Sequence, residues 1–567
     1  MKTMAPEQTP RSHNIINQLF LFCSVLFFLA LAYNHFQIVT YEMPLDAIEG
    51  AMPTVTATIA AGENPYSLEN QPARASLYPV LYNIVVAPFT LVFGNTLELH
   101  RAINGIFILA CCLLLSFAIK KSGGSSLDSF AGAMLFYAGL LFHSSPIASP
   151  NGIGLFLFLA SIVVPWKFEF SSRSLFVALI LGILAFYSKQ YFLACLGYIG
   201  LYLFLAVSKK KAIFFGFSAL FLLLASLAGV HYTSPYFIDN TVFSQMYASA
   251  SIGSFQTALE QLSEYSLIFL PVLVILFILV LRLLFNPGTS IKSEQVAEAK
   301  DVNQKLVDLT ELDAPLLYRT PDYFWLCFAC SLVIIVFALG KNPANHLTYL
   351  FQLISPFLLV GIFSRTSRSV NFRWLYQLLT VVTFYSIYTT LTHDFSVDQK
   401  NWDRLTELVS ESEEIYAPAT LVTEILHNGG EIYQTNHTPY FAFAKLKPPY
   451  FAKDNSEETV AKVWEKYVER IYQKIENQEF DLIILDSFTH LPMPMTDLNR
   501  TSAGDDFVIA LLKESFSNDT ARLKKHYRRS EMITLSMDKR PAGGKFFMQI
   551  WKPRRTIARP DTTETFD

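Results

Sequence analysis

Residues 79–93 read Pro-Val-Leu-Tyr-Asn-Ile-Val-Val-Ala-Pro-Phe-Thr-Leu-Val-Phe. Whether this stretch crosses a membrane decides the sidedness of every other segment. It is apolar enough to enter lipid, but a spanning helix needs about 20 mostly apolar residues, because in hydrocarbon the backbone must satisfy its own hydrogen bonds. The stretch is shorter than that and carries Pro79 and Pro88. It is therefore read as a helix lying along the membrane surface.

Longer apolar runs lie on both sides of it, near residues 15–38, 101–119, 128–143, 151–166, 174–188, 190–208, 212–231, 265–285, 323–340, 347–363 and 372–391. They predict about eleven transmembrane helices. The first follows Lys2 and Arg11 and exceeds a signal-peptide core, so it reads as an uncleaved anchor. If residues 79–93 do not cross, then Lys120, Lys121, Lys167, Arg173, Lys209 to Lys211, the 286–321 loop and Arg365, Arg368 and Arg373 share the cytoplasmic side. Roughly sixteen basic residues then lie inside and about four outside, as the positive-inside rule requires. The N-terminus is predicted inside. Residues 40–100, 144–150, 232–262 and everything after 391 are predicted outside.

The composition agrees. Of 567 residues, 52% are hydrophobic and 16% charged, against roughly 25% charged in an average soluble domain. The net charge of -3 supplies no basic field, so nucleic acid is not expected as a partner. The six cysteines all lie in apolar runs, which argues against a disulfide framework. The Cys327-x-x-Cys330 pair reads as small residues packing between helices rather than as a zinc or redox motif.

After about residue 391 the pattern changes to short apolar strands, Glu431-Ile-Tyr-Gln and Asp481-Leu-Ile-Ile-Leu-Asp486, alternating with an amphipathic helix over 463–475. That alternation predicts a small α/β domain over 392–567. Asp481, Asp486 and His490 read as strand-end turn residues rather than metal ligands, and no phosphate-binding glycine motif occurs. Lys524, Lys525, Arg528 and Arg529 read as a solvated helix face, with a basic patch facing the membrane surface as the alternative. Three glycosylation sequons begin at Asn436, Asn499 and Asn518.

The chemistry is expected in the outer loops. The first holds Glu42, Asp46 and Glu49 just after a span, with Arg74 and Arg101 in the same loop. A carboxylate there can act as a general base, and an arginine can keep it ionised or bind a phosphate. Plain surface acids are the alternative. Lys189 is the only charge between Arg173 and Lys209. It reads either as a phosphate ligand, since ionisable groups in membranes are costly, or as a snorkelling lysine.

The order Glu49-Gly50, a short helix, Gly62-Glu-Asn-Pro65-Tyr66, Tyr78-Pro79, an amphipathic stretch ending Phe93-Gly94 and an arginine opening the second span resembles the bacterial membrane glycosyltransferases of the GT-C superfamily. More narrowly, it resembles the branch of lipopolysaccharide-core glycosyltransferases and aminoarabinose transferases. The resemblance covers residues 15–391. It implies an all-α multi-pass bundle over 1–391 in the plasma membrane, with interfacial helices in the 40–100 loop and an extracytoplasmic C-terminal domain. It also implies transfer of a sugar from a polyprenyl-phosphate donor to a glycan or lipid acceptor at the outer face, with inversion and without a cofactor. Glu49 matches the family's base, with Asp46 second. Lys189-Gln190 resembles the family's Lys-Gln, and the turn Gly340-Lys341-Asn-Pro-Ala-Asn-His346-Leu-Thr-Tyr349 resembles its small-residue turn at an outer helix start. Lys189, Arg74, Arg101, His346 and Tyr349 are thereby candidates for the donor phosphate; His346 equally suits a capping histidine. Tyr66, Tyr78, Asn151 and Gln190 are candidates for the rest of the substrate. Asn151 stands where relatives often carry the acid of an Arg-x-Asp, and an amide is not an anionic metal ligand, so no metal site is expected. A flippase of lipid-linked sugars and an inactive scaffold of the same fold are the alternatives.

Overall fold

The computed structural model describes residues 11–45, 48–143, 147–243, 320–339, 346–366, 398–435, 457–486, 523–536 and 545–554, with single positions between 377 and 388 and at 438. The chain is mostly helical. The elements are α1 (Arg11–Val39), α2 (Ile48–Ala60), α3 (Leu81–Phe93), α4 (Leu97–Lys121), α5 (Ser126–His143), α6 (Asn151–Lys167), α7 (Ser172–Ser188), α8 (Ala194–Tyr202), α9 (Lys209–Thr233), α10 (Thr320–Leu339) and α11 (His346–Thr366). Helices α12 (Gln399–Ser410), α13 (Val422–His427) and α14 (Glu457–Glu476) follow, with strands β1 (Ile415–Tyr416), β2 (Leu482–Leu485), β3 (Tyr527–Ser536) and β4 (Lys545–Pro553).

Four described helical stretches are long and apolar enough to cross a membrane: Asn17–Val39, Leu97–Lys121, Gln190–Val207 and Lys209–Thr233. The last carries Phe214, Phe217 and Phe221 at 70% exposure or more. Water would not tolerate so continuous an apolar face, which requires lipid around it. The chain is an integral membrane protein. Its α4 and α9 are started by side-chain caps, Thr96 to the N–H of Leu99 and Ser208 to that of Lys211, and α4 ends on Lys120 and Lys121, complementing the helix dipole. The expected spans at 265–285 and, for the most part, 372–391 lie outside the described residues.

Close helix contacts occur where glycine removes a side chain. Gly154 on α6 faces Phe192, Gly182 on α7 faces Leu196, and Gly361 on α11 faces the ring of Trp325 on α10. Cys327 is a free, fully buried thiol in this packing.

Residues 81–93 form a helix of 13 residues, about 20 Å long, against a hydrocarbon core of about 30 Å. Its orientation inverts that of a soluble surface helix. Tyr82, Asn83, Val86 and Ala87 are buried, while Leu91 and Val92 are 80% and 76% exposed, with Ile84, Phe89 and Phe93 also outward. The inward face is fixed by polar contacts: Asn83 Nδ2 donates to Met52 O and Thr56 Oγ1, both at 2.9 Å, and Tyr82 Oη meets His100 Nδ1 at 3.1 Å.

The C-terminal sheet has the order β1-β2-β4-β3, with β1 parallel to β2 and the remaining pairs antiparallel. Two expectations need correction. Residues 431–434 form no strand; Gln434 instead runs beside β1, bonding Ala417 O and the Tyr416 hydroxyl. Arg528 and Arg529 open β3 rather than sharing a helix face with Lys524 and Lys525. Asp481 behaves as a turn residue, its Oδ2 accepting the N–H groups of Glu413 and Glu414 at 3.1 Å. His490 and the three sequons lie outside the described residues. Trp402, Leu405, Leu421 and Ile484 share one buried apolar cluster with Ile38, Tyr41, Met43 and Leu45. The sheet-bearing segment thus packs directly on the loop that leads to Glu49.

Candidate active site

Two polar clusters sit at the same end of the helices, joined by residues 147–151. The first centres on Glu49 and Arg101, neither with any exposed side-chain surface. Glu49 opens α2 and Arg101 lies in the first turns of α4. Glu49 Oε1 accepts from Arg101 Nε and Ala148 N, each at 2.8 Å; Oε2 accepts from Arg101 Nη2 at 2.7 Å and Leu45 N at 2.6 Å. Arg101 also donates to the carbonyls of Ile38 at 3.1 Å, Met43 at 2.7 Å and Tyr41. It thereby caps the end of α1, whose last carbonyls have no helical partner.

The arrangement places Arg101 on Glu49, one of the two roles expected of it. A general base needs an open lone pair within reach of the acceptor hydroxyl, and each Glu49 oxygen already holds two donors. Arg101 directs its donors to backbone carbonyls and Glu49. Asp46 lies outside the described residues. Arg74 is about one-third exposed and pairs with Glu63 at 3.5 Å within the same loop, apart from this pair.

The second cluster centres on Lys189, which is 7% exposed. It occupies the break between α7 and a short turn of helix at Gln190–Leu193, in extended conformation. Its Nζ donates to Asn151 Oδ1 at 2.8 Å and lies 5.0 Å from the ring centre of Tyr78 and 5.4 Å from that of Tyr191. An amide oxygen and the faces of two aromatic rings all attract a cation. Tyr66, fully buried, donates to Tyr78 O at 2.7 Å, and burial raises its phenol well above the usual range. Gln190 Nε2 reaches Leu77 O at 3.4 Å and also bonds Thr241 O. The structure therefore brings Tyr66, Tyr78, Asn151, Lys189 and Gln190 together. His346 and Tyr349 lie in the first turn of α11, their side chains outside the described set.

The bridge between the clusters is built by residues that sequence reasoning missed. Asn104, an amide inside an apolar run, donates to Ile147 O at 2.8 Å and accepts the N–H of Gly152 at 2.9 Å. Gly152 has no room for a Cβ, which would meet Asn104 Oδ1 at 2.1 Å. Ser188 donates to Pro150 O at 2.9 Å. Ala148 is thus held on Glu49 while Asn151, three residues on, is held on Lys189. Tyr191 and the fully buried Gln352, bonded at 2.5 Å, extend the second cluster to α11. Polar residues isolated in apolar helices were the available signal for both.

Among the described residues no group of three or more His, Cys, Asp or Glu is arranged to hold a metal ion. No family model matches the sequence, and no curated protein matches it. Among solved structures, the chain is similar to the crystal structure of ArnT from Cupriavidus metallidurans bound to undecaprenyl phosphate, with 11% sequence identity, a TM-score of 0.49, and coverage of 93% of this chain and 97% of that one.

Proposed function

We propose that the protein is a membrane glycosyltransferase that takes a sugar from a polyprenyl-phosphate donor and passes it to a hydroxyl acceptor at the outer membrane surface. The observation that carries this reading is the buried Lys189, set between Asn151, Tyr78 and Tyr191 beside the loop whose motif order resembles the GT-C superfamily. A buried ammonium bordered by aromatic rings suits a phosphate joined to an apolar tail: charge-assisted hydrogen bonds hold the oxygens while the rings exclude water. In the reaction, the acceptor oxygen attacks the anomeric carbon, the bond from that carbon to the phosphate oxygen breaks, and polyprenyl phosphate leaves with the electron pair. Lys189 stabilises the charge developing on the leaving phosphate. A carboxylate takes the acceptor proton; with Glu49 enclosed by four donors, Asp46 is the better candidate and Glu49 its anchor.

About eleven spans, a cytoplasmic N-terminus and an outer C-terminal domain complete the reading. The exposed apolar side of α3 suits a position along the membrane surface. Release or transfer of sugar from a defined polyprenyl-phosphate sugar by the purified protein in detergent tests it. Asp46→Asn should abolish transfer and retain donor binding. Donor binding without any turnover by the wild-type chain would favour the scaffold reading, to which the enclosed Glu49 and the amide at Asn151 lend support.

A further inference from the structure

The turn of π-helix at Asp239–Phe243 lies in the 232–262 segment, where chemistry was expected but no residue was singled out. It is packed on the second cluster. Thr241 O accepts the Gln190 side chain, Phe237 stands edge-on to the Tyr66 ring at 5.1 Å, and Asn64 Nδ2 holds Thr233 O at 3.0 Å just before the turn. Single π-turns of this kind concentrate at functional sites.

Within this turn the N–H of Asn240 bonds Tyr236 O at 3.0 Å, and the Thr241 hydroxyl bonds Phe237 O at 2.7 Å. The Asn240 side chain is the exception. It is 3% exposed, and its Nδ2 finds no hydrogen-bond partner among the described residues. A buried amide donor left unmade costs free energy, and native structures keep such groups where something else completes them.

Resting on the function proposed above, we propose that Asn240 is a substrate-binding residue whose Nδ2 donates a hydrogen bond to an oxygen of the bound lipid-linked sugar. That oxygen belongs to the phosphate or to a sugar hydroxyl. The neighbouring Gln190 is bonded to backbone carbonyls; Asn240 supplies the donor. Because Nδ2 makes no bond among the described residues, its removal should lower affinity without lowering stability.

The test measures binding of undecaprenyl phosphate, and of undecaprenyl phosphate carrying one hexose, to wild-type and Asn240→Ala protein in detergent, alongside the thermal midpoint of each. A phosphate contact predicts that both ligands weaken together, by about 10- to 100-fold. A hydroxyl contact predicts that only the hexose-bearing lipid weakens, by about 3- to 10-fold. In either case the midpoint is unchanged or higher. Unchanged binding of both ligands overturns the proposal, as does a midpoint that falls in step with binding, which marks a structural amide. If the wild-type chain binds neither lipid, the underlying function fails before any variant is considered.

Discussion

Arg101 grips Glu49 by both carboxylate oxygens, through Nε at 2.8 Å and Nη2 at 2.7 Å, where neither side chain touches solvent. A buried ion pair is weak evidence of net stabilisation, but breaking one from a single side strands a charge, typically at about 3–5 kcal/mol. Arg101 additionally ties down carbonyls at the end of α1 and in the segment after it. Arg101→Met should therefore lower the thermal midpoint in detergent sharply, as followed by tryptophan fluorescence or size-exclusion loss. Glu49→Gln should lower it too. A Glu49→Gln protein of wild-type stability that has lost transfer would restore Glu49 as the base.

Lys189 makes a different prediction, because an amide and two rings surround its ammonium. Lys189→Met keeps the apolar stem and removes the charge. Affinity for undecaprenyl phosphate should drop about 10- to 100-fold, the range of a charge-assisted hydrogen bond. Asn151→Asp should also weaken lipid binding, since a carboxylate at the 2.8 Å now separating Asn151 Oδ1 from the ammonium competes with the phosphate for it. Isothermal titration or a filter assay reads both; a tighter-binding Asn151→Asp protein would overturn the role given to Lys189.

The acidic group formed by Glu42, Glu98 and Glu424 predicts a pH dependence of stability. Burial raises the carboxyl of Glu424 above its ordinary value of 4.5; His427 opposes the rise, while Glu98 and Glu42 add to it. The folded protein then binds more protons than the unfolded chain above pH 4.5, so this residue's contribution is nil at low pH and turns unfavourable as pH rises through the raised value. Glu424→Gln should raise the thermal midpoint at neutral pH and leave it nearly unchanged below pH 4.5. Scanning the two proteins from about pH 4 to pH 8 compares them directly, and parallel curves would count against it.

Much of this was readable from the chain. A helix too short to span was expected over residues 79–93, and a separate 13-residue helix runs over Leu81–Phe93. Lys189 was conspicuous as a lone charge, and Tyr66, Tyr78, Asn151 and Gln190 do converge around it or its neighbours. What the chain concealed was pairing at a distance. Glu49 and Arg101 are 52 residues apart, so the chain offered Arg74 and Arg101 alike as partners for the loop's acids or for a phosphate, and only the fold chose between them. Asn104 and Asn240 were hidden for the opposite reason: an amide has no charge to mark it, and its value depends on whether the fold supplies a partner. The strand expected at 431–434 failed because apolar content does not distinguish a ladder from a segment tied down by side chains such as Gln434.

Gly50 tests how firmly the C-terminal segment holds the loop carrying Glu49. A Cβ at this position would lie 1.6 Å from the carbonyl oxygen of Ala419 and 2.5 Å from its carbon, both backbone atoms that no rotamer change can move. Gly50→Ala must therefore push α2 away from residues 418–421 or fail to fold. Either outcome displaces the carboxylate next to it, whose four bonds have little slack. Gly62, further along the same loop, is the control: it sits at φ +77° and a Cβ added there would meet nothing within 4 Å, so Gly62→Ala bears only backbone strain. That strain is about 1 kcal/mol. The expected order of thermal midpoints is wild type, then Gly62→Ala slightly lower, then Gly50→Ala far lower, with donor turnover lost in the last. If Gly50→Ala matched Gly62→Ala in both stability and turnover, the close seating of Ala419 on α2 would have no part in positioning the site.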